Sequence, residues 1–267
     1  MMKNIYLSFV ILFASVCSYG QSDSTSVAND FTQVPNVVVT KSQADSAYIN
    51  NDYASAVYLY EQILTNQGES ADIYYNLGNS YYKMDNIAKA IVNYEKALML
   101  NPGNGDIRFN LELAQSKTVD KVTPISEVFF VTWIKDLTNT MNEEGWAKIG
   151  ISTFILMLLS LTLYFFGKKL TLKKIGFISA VCLLFVCIIS NLFASSQKNK
   201  AQSHEMAIII APSVTVKSTP NQGGTDLFIL HEGRKVLVKD NGMREWKEIQ
   251  LEDGNVGWVP ASVLEII

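Results

Sequence analysis

Apolar residues are concentrated in three long runs of the chain, and elsewhere they recur with the period of a helix or of a strand. The first run, residues 5–16, follows Lys3 near the N-terminus. The other two runs, residues 149–167 and 175–194, contain no charged side chain. The pattern predicts a multidomain membrane protein that combines helical hairpins, a two-span transmembrane hairpin and an all-β domain.

The N-terminal run has the composition of a secretory signal. Its twelve residues are few for a bilayer-spanning helix but fit the apolar core of a signal peptide. Ser18 and Gly20 supply the small residues that precede a cleavage site, so we expect residues 1–20 to be removed before Gln21. Two alternatives stay open: lipidation of Cys17 within the sequence ASVC, and retention of the run as an uncleaved anchor.

Each charge-free run is predicted to span a membrane. At about 1.5 Å per residue, a run of this length covers roughly 30 Å of hydrocarbon. The loop between the runs, residues 168–174 (KKLTLKK), contains four lysines. Short lysine-rich loops stay in the cytoplasm, so both flanks of the hairpin should lie on the other side. The signal peptide independently predicts export from residue 21, which places both soluble domains in the periplasm and the hairpin in the inner (cytoplasmic) membrane.

Residues 71–104 form a unit of two helical segments. The amphipathic pattern breaks at MDN, resumes, and stops at NPGN, where Pro102 cannot continue a helix. The small residues Gly78 and Ala90 fall where two antiparallel helices would cross. The unit is similar to the tetratricopeptide repeat, whose period is 34 residues, and Asp85 stands where that family has a turn glycine. The packing faces would contain Tyr74, Leu77, Tyr81, Tyr94 and Ala97.

The same pattern recurs more weakly on either side of this unit. A shift of one period places Ala44 and Ala56 of residues 37–70 at the small positions. Residues 105–118 repeat only the first helix, and such a terminal helix would cover the apolar face of the last hairpin. We therefore expect two repeats and a capping helix.

The resemblance implies a concave groove lined by the first helix of each repeat. Asparagine amides can pair with the backbone of an extended peptide, and tyrosines supply contact area at modest entropy cost. Asn79 is expected to point into the groove and to serve binding rather than folding. The alternative is that the tyrosines only cover hydrophobic surface. The candidate peptide-binding residues are Tyr75, Asn76, Asn79, Tyr82, Phe109 and Asn110, with Lys41, Asp45, Tyr48 and Lys83 on the same groove.

Residues 119–148 form a juxtamembrane amphipathic segment. Trp133 and Trp146 suit a membrane interface. Three locations for the predicted helix stay open: on the outer leaflet, against a partner, or against the repeats. The apolar residues at helical spacing are Phe129, Phe130, Trp133, Ile134, Leu137 and Met141.

Residues 206–267 contain short strands separated by turn sequences such as PNQGG, DNG and EDGN. Closely spaced short strands predict a closed barrel. The segment resembles the bacterial SH3-like domain, which implies a module that binds peptide or cell-wall material, with Trp246 and Pro260 as its candidate ligand surface. Polar residues 195–205 are interpreted as a linker, as are residues 21–36, and we expect the β domain to fold alone. The resemblance rests on Trp246, Gly254, Gly257, Trp258, Pro260 and the final LEII.

Composition and charge argue against several classes of function, namely nucleic-acid binding, metal binding and catalysis. A net charge of −3 argues against nucleic-acid binding, which normally needs a strong basic excess. Cys182 and Cys187 lie in the last apolar run and Cys17 directly follows the first, so the polar segments have no disulfide framework or thiolate metal site. His204 and His231 are the only histidines, which disfavours a histidine-rich metal site or a histidine-based triad. We expect no catalytic, cofactor or metal site.

The order of segments over nearly the whole chain resembles the BatE-type proteins of the aerotolerance (Bat) operons of Bacteroidetes-like bacteria. The resemblance is strongest in IYYNLGNSYYKMDNIAKAIVNYEKALMLNPGNGDIRFNLELAQ, LHEGRKVLV and WKEIQLEDGNVGWVPASVLEII. It implies a membrane complex with other Bat proteins, some with von Willebrand A-type domains, and association with a MoxR-type ATPase.

Two functional hypotheses follow from these observations. The first is a periplasmic scaffold or chaperone-like adaptor that the hairpin anchors to the membrane. The second is an envelope sensor or peptidoglycan-binding protein that acts through its SH3-like domain.

Overall fold

The computed structural model describes residues 39–120, 128–203, 205–240 and 242–267. The predicted signal peptide and the N-terminal linker, with Cys17, lie outside these residues. Residues 121–127 of the predicted juxtamembrane segment also lie outside them. The chain from Val39 to Ile267 belongs to one unit, in which helices come first and strands last.

The first five helices form the repeat region, and consecutive helices pack against each other. The side chains of Asp52, Asn86 and Asn104 each accept a hydrogen bond from a backbone N–H in the helical turn that follows. These caps pair donors that a helix cannot satisfy internally, so they help to fix where each helix begins. The helices are α1 (Lys41–Ile49), α2 (Tyr53–Gln67), α3 (Ala71–Lys83), α4 (Ile87–Leu100) and α5 (Gly105–Ser116).

The turns inside the two hairpins share one backbone conformation. Asn51 follows α1 with a φ of 63°, and Asp85 follows α3 with a φ of 60°. The two residues are one 34-residue period apart. Asparagine and aspartate tolerate this left-handed region better than other side chains, so Asp85 can occupy the place of the family's turn glycine.

Helices α3 and α4 approach closely because Gly78 has no side chain. A Cβ atom here would lie 2.7 Å from two ring carbons of Tyr94 and 3.3 Å from the carbonyl oxygen of Ala90. Both neighbours are fully buried, so neither can move aside into solvent. The structure agrees with the crossing predicted at Gly78 and Ala90. Helix α5 covers the far side of this hairpin with the buried residues Ile107, Leu111 and Ala114.

Helices α7 (Glu143–Phe166) and α8 (Leu170–Gln202) form a long hairpin that contains both charge-free runs. Both are long and apolar enough to cross a membrane. Small residues let them pack closely: a Cβ atom at Gly176 would lie 2.8 Å from the carbonyl oxygen of Ser160. At Gly150 it would lie 3.0 Å from the amide nitrogen of Asn191. Such a close approach of two helices at small residues is typical of helices in membranes.

Two segments differ from the sequence-based boundaries. Helix α8 continues to Gln202, so most of the stretch expected as a linker, residues 195–205, is helical. Its buried Gln197 binds the turn before α7, which gives this polar part of the helix a tertiary contact. In the juxtamembrane segment the helix is α6 (Phe129–Thr138), and α7 already begins at Glu143.

The C-terminal strands form one antiparallel sheet in the order β3-β2-β6-β5-β4-β1-β7. Among the described residues, the edge strands β3 and β7 do not pair with each other, so the sheet is open. The structure therefore differs from the closed barrel that the sequence predicts. The physical reason lies at β7, whose Glu265 pairs with Lys96 of α4, so the repeats cover this edge. The strands are β1 (Met206–Ile209), β2 (Ser213–Lys217), β3 (Asp226–His231), β4 (Lys235–Asp240), β5 (Trp246–Gln250), β6 (Val256–Pro260) and β7 (Leu264–Ile266).

The sheet and the repeats share a core. Ile208 of β1 and the C-terminal Ile267 are buried in the apolar cluster of the helical repeats. Lys235 lies 2.6 Å from the buried carboxylate of Glu95 on α4. The β domain therefore packs against the repeats and is not separated from them by a flexible linker. A fragment that began at residue 205 would expose the apolar side chains of Ile208 and Ile267, and we revise the expectation that it folds alone.

A second joint lies at the β3–β4 turn. The carboxylate of Asp120 accepts a hydrogen bond from the backbone N–H of His231 at 2.8 Å and lies 2.8 Å from its ring nitrogen Nδ1. Gly233, with a φ of 82°, is so close to the repeats that a Cβ atom would lie 2.5 Å from Thr118 and 2.8 Å from Ile91. Only glycine combines this backbone conformation with this proximity.

We expect Gly78→Ala to destabilise the repeats, because the new methyl group must displace the buried ring of Tyr94. Overpacking of this kind costs about 1–3 kcal/mol. Gly105→Ala is the matched control, since a Cβ atom there meets nothing within 4 Å. Thermal melting of the detergent-solubilised protein should separate the two variants. Equal melting midpoints would contradict the close crossing of α3 and α4.

Gly233→Val should weaken the joint between the sheet and the repeats. Gly254→Val is the control, because Gly254 has a φ of 90° but no atom within 4 Å of a Cβ. Both variants share the strain of a positive φ, so the extra loss in Gly233→Val, about 1–3 kcal/mol, reports the clash with Ile91 and Thr118. Denaturant unfolding measures this difference. If the two variants unfold alike, the joint contributes nothing to stability.

Candidate functional site

A concave pocket of about 310 Å³ opens on the face formed by the first helices of the repeats and by the capping helix. Helix α3 supplies four of its residues, at positions that share one helical face. Helix α1 contributes one tyrosine, α4 reaches the pocket from beneath, and α5 closes the other side. The lining residues are Tyr48, Tyr75, Asn79, Tyr82, Lys83, Tyr94, Asn110 and Leu113.

Asn79 organises the polar part of this pocket. Its side-chain oxygen accepts a hydrogen bond from the hydroxyl of Tyr94 at 2.8 Å and another from Nδ2 of Asn110 at 3.0 Å. Nδ2 of Asn110 also donates to the hydroxyl of Tyr75 at 3.0 Å. Burial, and then the neighbouring Tyr75, raise the pKa of Tyr94, so its hydroxyl stays protonated and remains a donor.

This network corrects the expectation that Asn79 serves binding alone. The hydroxyl of Tyr94 belongs to a fully buried side chain, and Asn79 is its hydrogen-bond acceptor. Removing that acceptor would leave a buried donor unpaired, at a cost of about 1–3 kcal/mol in stability. Asn79 therefore contributes to folding as well as to the surface of the pocket.

Two polar atoms of the network remain available to a ligand. Within the described part of the chain, neither Nδ2 of Asn79 nor Oδ1 of Asn110 has a hydrogen-bond partner. One is a donor and the other an acceptor, and the two side chains are hydrogen-bonded to each other. A peptide group also offers one acceptor and one donor, so this wall of the pocket can pair with an extended backbone.

Asn76 lies outside the pocket and joins the two repeats. Its Nδ2 lies 3.4 Å from the carboxylate of Asp45, which also accepts from the hydroxyl of Tyr60 at 2.6 Å. Lys41 pairs with the same carboxylate at 2.9 Å. Burial raises the pKa of Asp45, but the hydrogen bonds from Tyr60 and Lys41 outweigh this effect and lower the pKa overall. Asp45, Asn76 and Lys41 thus connect α1 of the first repeat to α3 of the second, and their role in binding stays a prediction.

Phe109 was predicted to line the groove, but its side chain is exposed and does not line the pocket. Leu113 also lines the pocket but is not among the predicted groove residues, and Tyr94 is predicted only as a packing residue. Leu113 follows Asn110 by three residues, so the helical period could have identified it. Tyr94 packs against Gly78 and at the same time presents its hydroxyl to the pocket, and only the tertiary structure reveals this second role.

A second pocket of about 350 Å³ lies where α4 meets β7. Tyr74 lines it and donates to the carboxylate of Glu69 at 3.1 Å. Burial, followed by the charge of Glu69, raises the pKa of Tyr74 to about 12. Because Ile266 and Ile267 form its other wall, this pocket belongs to the joint between the repeats and the sheet.

Trp246 and Pro260, the candidate ligand surface of the β domain, are cross-strand neighbours. The register of β5 and β6 places them directly opposite each other, and both are half-buried. The structure therefore brings the two predicted residues together, and their role in binding stays a prediction. Among the described residues, no three histidine, cysteine, aspartate or glutamate side chains are grouped where they could hold a metal ion.

Comparison with known proteins bears on the helical region. No curated protein matches the chain. A family model does match one segment, which is the hairpin of α3 and α4 with the turn that follows it and comprises 34 of the 267 residues. The prediction from the residue pattern is thereby confirmed for this hairpin: residues 71–104 are a tetratricopeptide repeat.

Proposed function

We propose that this protein is a membrane-anchored scaffold or chaperone-like adaptor, without catalytic activity, whose repeats bind an extended segment of a partner protein. The observation that supports this function is the pocket on α3, in which Asn79 and Asn110 present an unpaired donor and an unpaired acceptor beside four tyrosines. Tetratricopeptide repeats generally mediate interactions between proteins, and residues 71–104 are such a repeat.

The composition of the pocket indicates what kind of segment it would hold. Tyr48, Tyr75 and Tyr82 provide apolar area with few rotatable bonds, so little entropy is lost on binding. Lys83 is exposed at the same pocket, and it would favour an acidic side chain in the bound segment. The two amides would fix the direction of the peptide backbone.

We propose further that α7 and α8 span the inner membrane, with their connecting loop in the cytoplasm. Only 6% and 11% of their most apolar stretches are buried within the structure. The core helices of a soluble protein would be mostly covered, so this exposed apolar surface favours a lipid environment. The lysines of residues 168–174 support the orientation in which the repeats and the sheet face the periplasm.

The partners that we propose are other membrane proteins of a Bat-type complex, including those with von Willebrand A-type domains, and a MoxR-type ATPase. The support is the order of segments, which resembles BatE-type proteins of the aerotolerance operons. An envelope sensor that binds peptidoglycan through its SH3-like domain is the second candidate, and the neighbouring positions of Trp246 and Pro260 favour it. We rank the scaffold first because the repeats have a formed pocket with unpaired polar atoms.

Tyr82→Ala should weaken partner capture, while Tyr58→Ala should not. Both changes remove a tyrosine, but only Tyr82 lines the pocket, and Tyr58 is 61% exposed on α2. A tyrosine at the centre of a binding site contributes about 2 kcal/mol or more, which corresponds to roughly a 30-fold loss of affinity. Co-purification from mildly solubilised membranes measures the loss.

Sedimentation with purified cell wall tests the second candidate on the unaltered protein and on Trp246→Ala. If Tyr82→Ala leaves co-purification unchanged, the pocket does not hold the partner. If the protein sediments with cell wall and Trp246→Ala abolishes this sedimentation, the sensor hypothesis replaces the scaffold.

The proposed topology predicts which positions an impermeant thiol reagent can reach. In a variant whose native cysteines are replaced, we expect Ser70→Cys and Gln222→Cys to react in cells with a permeabilised outer membrane. Thr171→Cys, in the lysine-rich segment, should react only after lysis. Labelling of Thr171→Cys in intact inner-membrane vesicles of native orientation, or in unlysed cells, would reject the orientation.

A further inference from the structure

Helix α6 is apolar on one side, and almost none of it is covered. Thr138 is its only buried residue. The side chains of its apolar residues are between 37% and 74% exposed, which is unusual for so many large side chains in a row. These residues are Phe129, Phe130, Val131, Trp133, Ile134 and Leu137.

All of these residues except Val131 share a single face of the helix. At about 100° per residue, the five apolar side chains fall within an arc of roughly 140°. Lys135 lies opposite the centre of this arc, Thr132 and Val131 lie about 130° from the centre, and Asp136 lies at the edge of the arc beside Phe129. The two charges cancel, so an interaction through this helix would depend on apolar contact rather than on net charge.

Hydrogen bonds fix the C-terminal end of α6 to both long helices. The carbonyl oxygen of Thr138 accepts from Nε1 of Trp146 on α7 at 3.0 Å and from Nε2 of Gln197 on α8 at 2.7 Å. Gln197 also donates to the carbonyl oxygen of Met141 at 3.2 Å. Lys200 lies 3.1 Å from the side-chain oxygen of Asn139. The end of α6 therefore cannot move independently of the hairpin.

These contacts also fix where the C-terminal end of α6 lies along the axes of α7 and α8, relative to their apolar runs. Trp146 lies three residues before the first run begins, and Phe193 lies at the end of the second. Their rings meet edge to face, with centroids 4.9 Å apart. Gln197 is one helical turn beyond Phe193. The end of α6 is thus held where the apolar surface of α7 and α8 gives way to polar residues.

We propose that α6 lies along the periplasmic surface of the membrane, with its apolar face inserted among lipid headgroups and upper acyl chains. This inference rests on the proposed spans of α7 and α8. The C-terminal end of α6 is held at the level where the apolar surface of α7 and α8 ends, and the apolar side chains that precede this end are exposed. Ten residues cover only about 15 Å, too little to cross the hydrocarbon, whereas an orientation parallel to the surface suits an amphipathic helix.

The same attachment connects the membrane surface to the repeats. The turn after α6 packs against the loop between α4 and α5, where a Cβ atom at Gly103 would lie 2.3 Å from the carbonyl oxygen of Thr140. Helix α6, the hairpin and the repeats therefore meet at one turn, residues 139–142. Insertion of α6 would set how far the repeats stand from the bilayer.

The test uses single-cysteine variants of the full-length protein, with the native cysteines replaced and Cys187→Ser chosen to retain a donor toward Gly150. A fluorophore that is sensitive to polarity is attached at Phe130→Cys on the apolar face, or at the exposed Thr132→Cys on the polar face. Leu158→Cys in α7 and Ser70→Cys before α3 are the controls for hydrocarbon and water. Phosphatidylcholine vesicles contain nitroxide lipids labelled either at the headgroup or at the end of the acyl chain.

We expect the label at position 130 to show blue-shifted emission and to lose intensity with the headgroup nitroxide more than with the acyl-end nitroxide. The label at position 132 should instead be quenched by aqueous iodide, as at position 70. If position 130 behaves like position 70, α6 lies in water and the proposal is wrong. If its emission is blue-shifted but neither nitroxide quenches it, protein covers the face, which also overturns the proposal.

The control in α7 separates this inference from the proposed spans. Quenching of the label at position 158 by the acyl-end nitroxide, without shallow quenching at position 130, would reject the location of α6 alone. Absence of quenching at position 158 would reject the spans, and with them the surface location of α6.

Discussion

The repeat region depends on the contact between the backbone of Gly78 and the ring of Tyr94. Since position 78 has no side chain, the ring of Tyr94 can pack directly against the backbone of α3 where α3 and α4 cross. This places the tyrosine hydroxyl within reach of Asn79, and Asn79 in turn holds Asn110 of the capping helix. A packing requirement in the core therefore determines the positions of the polar groups at the surface of the pocket. Folding and the proposed recognition are not separable in this hairpin.

The second constraint is that the repeats and the sheet complete each other. Two repeats and a cap are close to the minimum for a stable solenoid, and one face of α4 would remain apolar without a cover. Ile208 and Ile267 supply that cover, and the pairs formed by Glu95 with Lys235 and by Lys96 with Glu265 surround it. The cost of burying the Glu95 carboxylate is offset by its partner, so this joint requires a defined orientation.

Much of this organisation could be predicted from the residue pattern. Charge-free runs, a period of 34 residues and small residues at fixed positions are local signals, and they correctly identified the hairpin at residues 71–104 and two helices able to span a membrane. The turn conformation at Asp85 follows from the same repeat. Such features depend on nearby residues, which the sequence displays directly.

The features that could not be predicted depend on contacts between distant segments. The sheet is open because Glu265 and Ile267 meet α4, more than 150 residues earlier in the chain. Residues 195–202 look like a linker by composition, but Gln197 binds the turn before α7 and this part of the chain is helical. Asn79 looked free for binding because the reach of the Tyr94 hydroxyl is a property of the folded hairpin.

The continuity of α8 has a mechanical consequence. From Leu170 to Gln202 the helix has no break, and its 33 residues correspond to a rod about 50 Å long. A continuous helix transmits a force or torque along its axis, whereas a flexible linker would absorb it. A force on the lysine-rich end of α8 would therefore displace Gln197, and with it the turn of residues 139–142 that contacts both α6 and the repeats.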